Sequence, residues 1–191
     1  DEGRTQVSTM IFQPQRTLEA YARRLRAYLQ EETPFQLTDM DSILSAYKDV
    51  AIFDHRLFRF DVTSRTEGNQ VILDGEVSLR ELKTGLLTLL EYCGIESIED
   101  NIKILPVKKP GTQILAVVHN PIVPLYKEPN SQSEQISQLL IGDGVEILKR
   151  NRSYSLVQGP DGYLGWMPSE GLCTCESDDL QKWISVPRVA F

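Results

Sequence analysis

Histidine is nearly absent from this chain: among 191 residues only His55 and His119 occur, and cysteine is scarcely commoner, at Cys93, Cys173 and Cys175. Three thiols are too few for a disulfide framework or a four-thiolate zinc site, and both histidines lie far from them in sequence, so neither a stapled fold nor a metal centre is expected. Cys173 and Cys175 are spaced too tightly for an easy disulfide, and Cys93 falls on the apolar stripe of a predicted helix, where a thiol acts as a small buried hydrophobe. A glycine-rich phosphate loop, an HExxH pair and a GxSxG elbow are all missing, so no cofactor is expected. No apolar run approaches the roughly 18 residues that span a bilayer. The opening DEGRTQVSTM has neither the basic region nor the apolar core of a secretory signal, which fits a mature chain whose export signal has been removed. Positive charge is in deficit as well. Twenty Lys and Arg against 27 Asp and Glu leave a formal charge of −7, a field that repels phosphate backbones and lipid headgroups, so nucleic acid and direct membrane binding are not expected. Arg23, Arg24 and Arg26 are interleaved with Glu19, Glu31 and Glu32 and read as a solvated helix face.

What the chain does have is a hydrophobic content of 41%, enough for two small cores, and a pattern that changes character part-way along. Over 17–32, Leu18, Tyr21, Ala22, Leu25, Tyr28 and Leu29 recur at helical spacing. Thr38 is placed to cap a second helix reaching about Ala51, with Met40, Ile43, Leu44, Tyr47 and Val50 on its buried side. In LFRFDVT the period becomes two, with Phe58, Phe60 and Val62 facing one way. A turn at Gly68 and Asn69 leads into VILDGEV, which carries Val71, Leu73 and Val77 inward, so a hairpin is predicted. Ser78 and Glu81 have the spacing of a capping box for a helix striped with Leu79, Leu82, Leu86, Leu89, Leu90 and Cys93, stopped by Gly94. A strand from Ile98 to Leu105 completes a helix-strand-strand-helix-strand order. PVKKPGT then has the composition of a stiff linker. Beyond it, ILAVVH, ISQLLIG, GVEILKR, SYSLVQG and YLGWMP are short β-prone runs between turn residues, which mean a small barrel or sandwich.

The predicted fold class is therefore an α+β N-terminal domain preceded by an extra helix and followed by an all-β small barrel. The divisions fall at 1–37 for the extension, 38–106 for the α+β domain, 107–113 for the linker, 114–175 for the barrel and 176–191 for a C-terminal tail. VILDGEV, the leucine-rich helix and GIESIEDNIKILP resemble the BON domain, on Gly75, Gly94, Ile95, Ile98, Asn101 and Ile102. That resemblance implies a bacterial envelope setting and phospholipid or partner binding. VPLYKEPNSQSEQISQLLIGDGVEIL and YSLVQGPDGYLGWMPSEGL resemble the bacterial SH3-like domain found ahead of the catalytic domain in NlpC-type cell-wall cysteine peptidases. The carrying residues are Pro124, Leu125, Tyr126, Glu128, Pro129, Gln138 to Gly142, and Asp161, Gly162, Tyr163, Gly165 and Trp166.

The stretch GPDGYLGWMP sets large aromatics among glycines. Pro160, Asp161 and Gly162 supply a turn between strands, and Gly165 lets a neighbouring backbone approach. Trp166 suits a core role in so small a domain, while Tyr163, beside the turn, is equally placed to pack or to touch a ligand. With Tyr126 and Tyr154 they form the candidate ligand-binding set, whose expected partner is a cell-wall peptide or glycan, or an envelope protein. An NlpC-type enzyme needs a thiolate activated by a histidine. None of the three cysteines stands in the Asp-Cys-Ser-Gly-like context of that nucleophile, so no catalytic residue is expected and the chain reads as a non-catalytic, extracytoplasmic binding protein. The enzyme-class alternative is the targeting portion of a longer peptidoglycan peptidase, and a further alternative is a module serving only protein assembly.

Overall fold

The computed structural model describes residues 40–52, 54–107 and 111–185. The expected helix over 17–32 and the Thr38 cap lie outside the described residues. The described chain divides into two compact units: one takes the residues before 54 together with Phe60–Ile104, and the other takes Asp54–Arg59 together with the residues from Leu105 onward.

The first unit runs α1 (Met40–Ala51), β1 (Phe60–Glu67), β2 (Gln70–Val77), α2 (Arg80–Tyr92) and β3 (Ile98–Ile104). The β1–β2 hairpin is antiparallel, with Glu67 opposite Gln70, and β3 joins the other side of β2 in parallel, with Val71 opposite Ile98. β2 is thus the central strand, and Val71, Ile72, Leu73 and Val77 are all buried. A parallel neighbour requires a crossover, and α2 provides it. Its Leu82, Leu86, Leu89 and Leu90 are buried as their spacing predicts. The start of α2 lies one residue later than expected: its N-cap is Leu79, in extended conformation and with no side-chain cap bond of its own. Its end is closed by the paired bonds Gly94 N–H to Glu91 O and Ile95 N–H to Leu90 O, each 2.9–3.0 Å, which satisfy carbonyls the last turn leaves open. Cys93, expected to be buried, is only half-buried because it caps this end rather than sitting within the stripe. Val50 is exposed, and Ala51 and Ile52 take the buried positions at the end of α1 instead. Phe58 lies before the strand, since 54–59 belongs to the other unit.

Tyr47 ties α1 to α2. Its ring is fully buried, lies 5.6 Å from that of Phe60 between centroids, and its hydroxyl donates to Leu82 O at 2.9 Å. Burial pushes its phenol well above the ordinary tyrosine value. The neutral form is therefore what folding favours: the contribution is complete below the unfolded pKa of about 10 and is lost as pH climbs beyond it. Tyr47→Phe is expected to lower stability by about 1 kcal/mol at pH 8. The gap between variant and parent should narrow by pH 11. Urea midpoints at the two pH values check this, and a gap that widens would contradict it.

The second unit holds β4 (Leu115–Val118), β5 (Ile122–Tyr126), β6 (Gln135–Leu140), β7 (Gly144–Asn151), β8 (Tyr154–Gln158), β9 (Leu164–Pro168), a 3-10 turn at Ser169–Gly171, β10 (Leu172–Cys175) and α3 (Ser177–Ser185). The strands form one sheet in the order β10-β4-β7-β8-β9-β5-β6, with antiparallel pairing throughout. Ala116, Val118, Val123, Leu125, Leu139, Val145, Ile147, Val157 and Met167 form one core cluster, drawn from β4 through β9. Residues 177–185 of the expected tail are helical: Leu180 is buried, and the Trp183 indole donates to Gly142 O at 2.9 Å. Mixed α/β content with a strand-rich second part agrees with the predicted fold class at that level. Among the described residues, no helix is long and apolar enough to cross a membrane.

Candidate functional site

The hairpin joining β8 to β9 is the GPDGYLGWMP stretch. Gly159 N–H bonds Tyr163 O at 2.9 Å, Gly162 N–H bonds Gly159 O at 3.0 Å, and Asp161 Oδ1 accepts from Tyr163 N–H at 3.0 Å. Asp161 thus uses its short side chain to close the turn on its own backbone, as turn aspartates do. Two residues on, a Cβ added to Gly165 would lie 2.6 Å from Leu125 Cβ. That atom is fixed to the β5 backbone, so the absence of a side chain at 165 is what lets β5 and β9 approach.

Alternation along β9 then sends side chains two ways. Met167 enters the core cluster described above. Leu164 and Trp166 instead join Leu105, Leu148 and Leu156 in a second cluster, with Tyr126 and Tyr154 packed against it. The same alternation along β7 places Ile147 in the first cluster and Leu148 in the second. Three of the four candidate aromatics are therefore brought together: Trp166 stands opposite Tyr126 in register, and Tyr126 and Tyr154 are half-buried beside it. Trp166 itself is only 3% exposed, and its indole N–H has no hydrogen-bond partner among the described residues. It offers no ring face to a ligand, which corrects its place in the candidate set: it is the floor beneath the tyrosines.

Tyr163 is half-buried and carries a cation that sequence reasoning missed. The Arg56 guanidinium sits 4.7 Å from its ring centroid, within the range of attraction to the negative face of an aromatic ring. Arg56 O accepts from Leu164 N–H at 2.6 Å, and Leu57 lies within 3.4 Å of where a side chain at Gly162 would begin. Asp54 holds the arginine in this pose: Nε to Oδ1 is 3.0 Å, a terminal nitrogen to Oδ2 is 2.8 Å, and Arg56 N–H to Oδ1 is 2.9 Å. These bonds hold the Asp54 carboxyl down at about 2, and the Arg56 guanidinium is raised in turn by Asp54. In sequence, 54–59 is a short polar-apolar mixture between a helix and a strand, with nothing local to assign it to a surface more than a hundred residues away.

Residues 125–172 match the family described as the bacterial dipeptidyl-peptidase Sh3 domain. The Sh3 segment begins at Leu125 in β5 and ends at Leu172 in β10, so all four candidate aromatics and the β8–β9 turn fall inside it, whereas Arg56 and Asp54 do not. No curated protein matches the chain.

Around the Sh3 segment, Cys173 is exposed and Cys175 half-buried, both free, and burial, then Asp179, Cys173 and Glu176, push the Cys175 thiol up and away from its reactive thiolate. His119 Nε2 lies 2.6 Å from Glu170 O, a backbone partner rather than a thiol. Asp100 lies in β3, where it pairs with Lys83 at 2.7 Å while Lys83 also donates to Ile102 O at 2.7 Å.

Proposed function

We propose that this chain is a non-catalytic binding module of the bacterial cell envelope, whose Sh3 segment holds a cell-wall peptide or glycan, or an envelope protein, against Tyr126, Tyr154 and Tyr163. The observation that carries this reading is the family match over 125–172, which takes in the whole aromatic surface. The half-buried tyrosines support it, because such rings present an apolar face and a polar tip to an incoming chain. An extracytoplasmic location belongs to the same proposal. So does a BON-like first unit, supported by its helix-strand-strand-helix-strand order and by Gly75 in the second strand.

Pelleting with purified peptidoglycan tests the reading. The full chain is expected to sediment with the wall, and Tyr126→Ala combined with Tyr163→Ala should cut the bound fraction at least tenfold at a temperature where circular dichroism shows the variant still folded. Undiminished binding by the double variant would remove the tyrosine surface from the account, and no binding by the parent would favour the assembly-only alternative.

The word peptidase in the family's description favours a second reading, in which these residues are the targeting portion of a longer cell-wall peptidase. An encoding frame that continues past Phe191 into an Asp-Cys-Ser-Gly-like segment and a later histidine would establish it.

A further inference from the structure

The four residues Asp54, His55, Arg56 and Leu57 form a turn, closed by Leu57 N–H donating to Asp54 O at 3.1 Å, that sits against the Sh3 segment as the tip of a peptide loop sits on a receptor. They make one backbone bond, Leu164 N–H to Arg56 O at 2.6 Å, and add two side-chain contacts, the guanidinium over Tyr163 and Leu57 beside Gly162. A backbone carbonyl that takes an outward-facing strand amide, beside a cation held on an aromatic face, gives the turn both a direction and a charge preference at this sheet edge. Leu164 opens β9, and at this end of the strand β5 leaves it uncovered, since β5 meets β9 through the single pair Tyr126 and Trp166. The segment fills that gap.

We propose that residues 54–57 are a built-in occupant of the peptide edge at Gly162–Leu164, and that an external peptide bearing a cationic side chain must displace this strap to bind. The inference rests on the reading of the Sh3 segment as a binding module and states how that module is regulated. Two features make the strap displaceable. Its charged groups are solvent-accessible, with half of the Arg56 side chain exposed, so water replaces the contacts it gives up. Its clamp is internal, because Asp54 grips Arg56 within the strap, and the pair leaves as one body without exposing an unpaired ion. The occupant also specifies the competitor. A cation is what the Tyr163 face attracts, and a backbone carbonyl is what the Leu164 amide requires.

The test uses the full chain, the variants Arg56→Glu and Asp54→Asn, and a capped peptide of sequence DHRLFR, residues 54–59. Arg56→Glu sets a carboxylate against both Asp54 and the negative ring face, and so opens the strap. Amide exchange at Leu164 is expected to quicken at least tenfold in Arg56→Glu at unchanged melting temperature. The peptide, followed by amide shifts at Tyr163 and Leu164, should bind this variant at least tenfold more tightly than the parent, and a peptide with glutamate in place of arginine should not bind. Should Arg56→Glu fold poorly, Asp54→Asn keeps the side chain's size while loosening the clamp, and a smaller rise in Leu164 exchange is expected from it. Exchange and peptide affinity equal to those of the parent in a folded variant overturn the proposal. Pelleting the same variants with peptidoglycan separates it from the wall-binding reading. An opened chain that captures the peptide but ignores the wall supports the strap and refutes the wall ligand. Wall binding by the parent as tight as that of Arg56→Glu overturns the strap alone.

Discussion

Gly75→Ala is expected to unfold the first unit under conditions where the parent is folded. A Cβ at this position would overlap Asp61 O and lie 2.9 Å from Val62 Cα. Both belong to the backbone of β1, so no rotamer change relieves them. Gly75 also has φ 142°, a region closed to L side chains. Overpacking costs about 1–3 kcal/mol and strained backbone about 1–3 kcal/mol, so a combined loss of about 4 kcal/mol is expected. That consumes most of the stability of a small domain, about 5 kcal/mol at the low end. Trp166 and Trp183 are the chain's two tryptophans and both lie in the second unit. Indole emission thus follows one unit, while far-UV circular dichroism also reports α1 and α2. In urea the dichroism change assigned to the first unit should move lower by about 2 M or more, given slopes of about 1–3 kcal/mol per molar. A dichroism curve identical to the parent's would show that β1 and β2 can separate without penalty.

Trp166→Ala should be nearly as damaging, by a different route. The side chain is 3% exposed and fills the cluster of Leu105, Leu148, Leu156 and Leu164, so its removal leaves a hole that neighbouring strands cannot collapse to fill. Losses of about 3–5 kcal/mol are usual for such a change. Trp166→Phe separates packing from polarity. Phenylalanine keeps part of the volume and deletes an indole N–H that has no partner among the described residues, a group whose burial costs about 1–3 kcal/mol. The phenylalanine variant should therefore lose less than about 1.5 kcal/mol. Thermal melts of the two variants decide the matter. Equal losses would mean that the indole nitrogen is satisfied in solution.

How far the sequence could be followed depended on whether a signal was local. The stripe Leu82, Leu86, Leu89 and Leu90 recurs within one helix, and the Gly68–Asn69 turn lies between two alternating runs, so each was legible from its neighbours. Trp166 was harder: its burial was foreseeable from the needs of a small domain, but its side of β9 was not. That depends on β9 lying between β8 and β5, with Gly165 and Met167 turned to the opposite face. The start of α2 was legible only to within a residue, since the N-cap falls at Leu79 rather than Ser78 and spacing alone does not fix a helix end that closely. Arg56 was invisible for a stronger reason. Its partners Tyr163 and Leu164 lie over a hundred residues away, and neither composition nor period encodes a pairing of that range.

The parallel union of β2 with β3 also orders events in time. A hairpin with a two-residue loop closes on a scale of about 1–10 μs, so β1 and β2 are positioned to meet early. β3 reaches its place only after the chain has run through all of α2, and the entropy of closing that longer loop must be met first. Until then one flank of the central strand stands open with its amides and carbonyls unclaimed. The nascent unit is consequently most vulnerable to sticking to other chains in the interval between the hairpin and the crossover, and it is the leucine face of α2, settling onto the sheet, that brings that interval to an end.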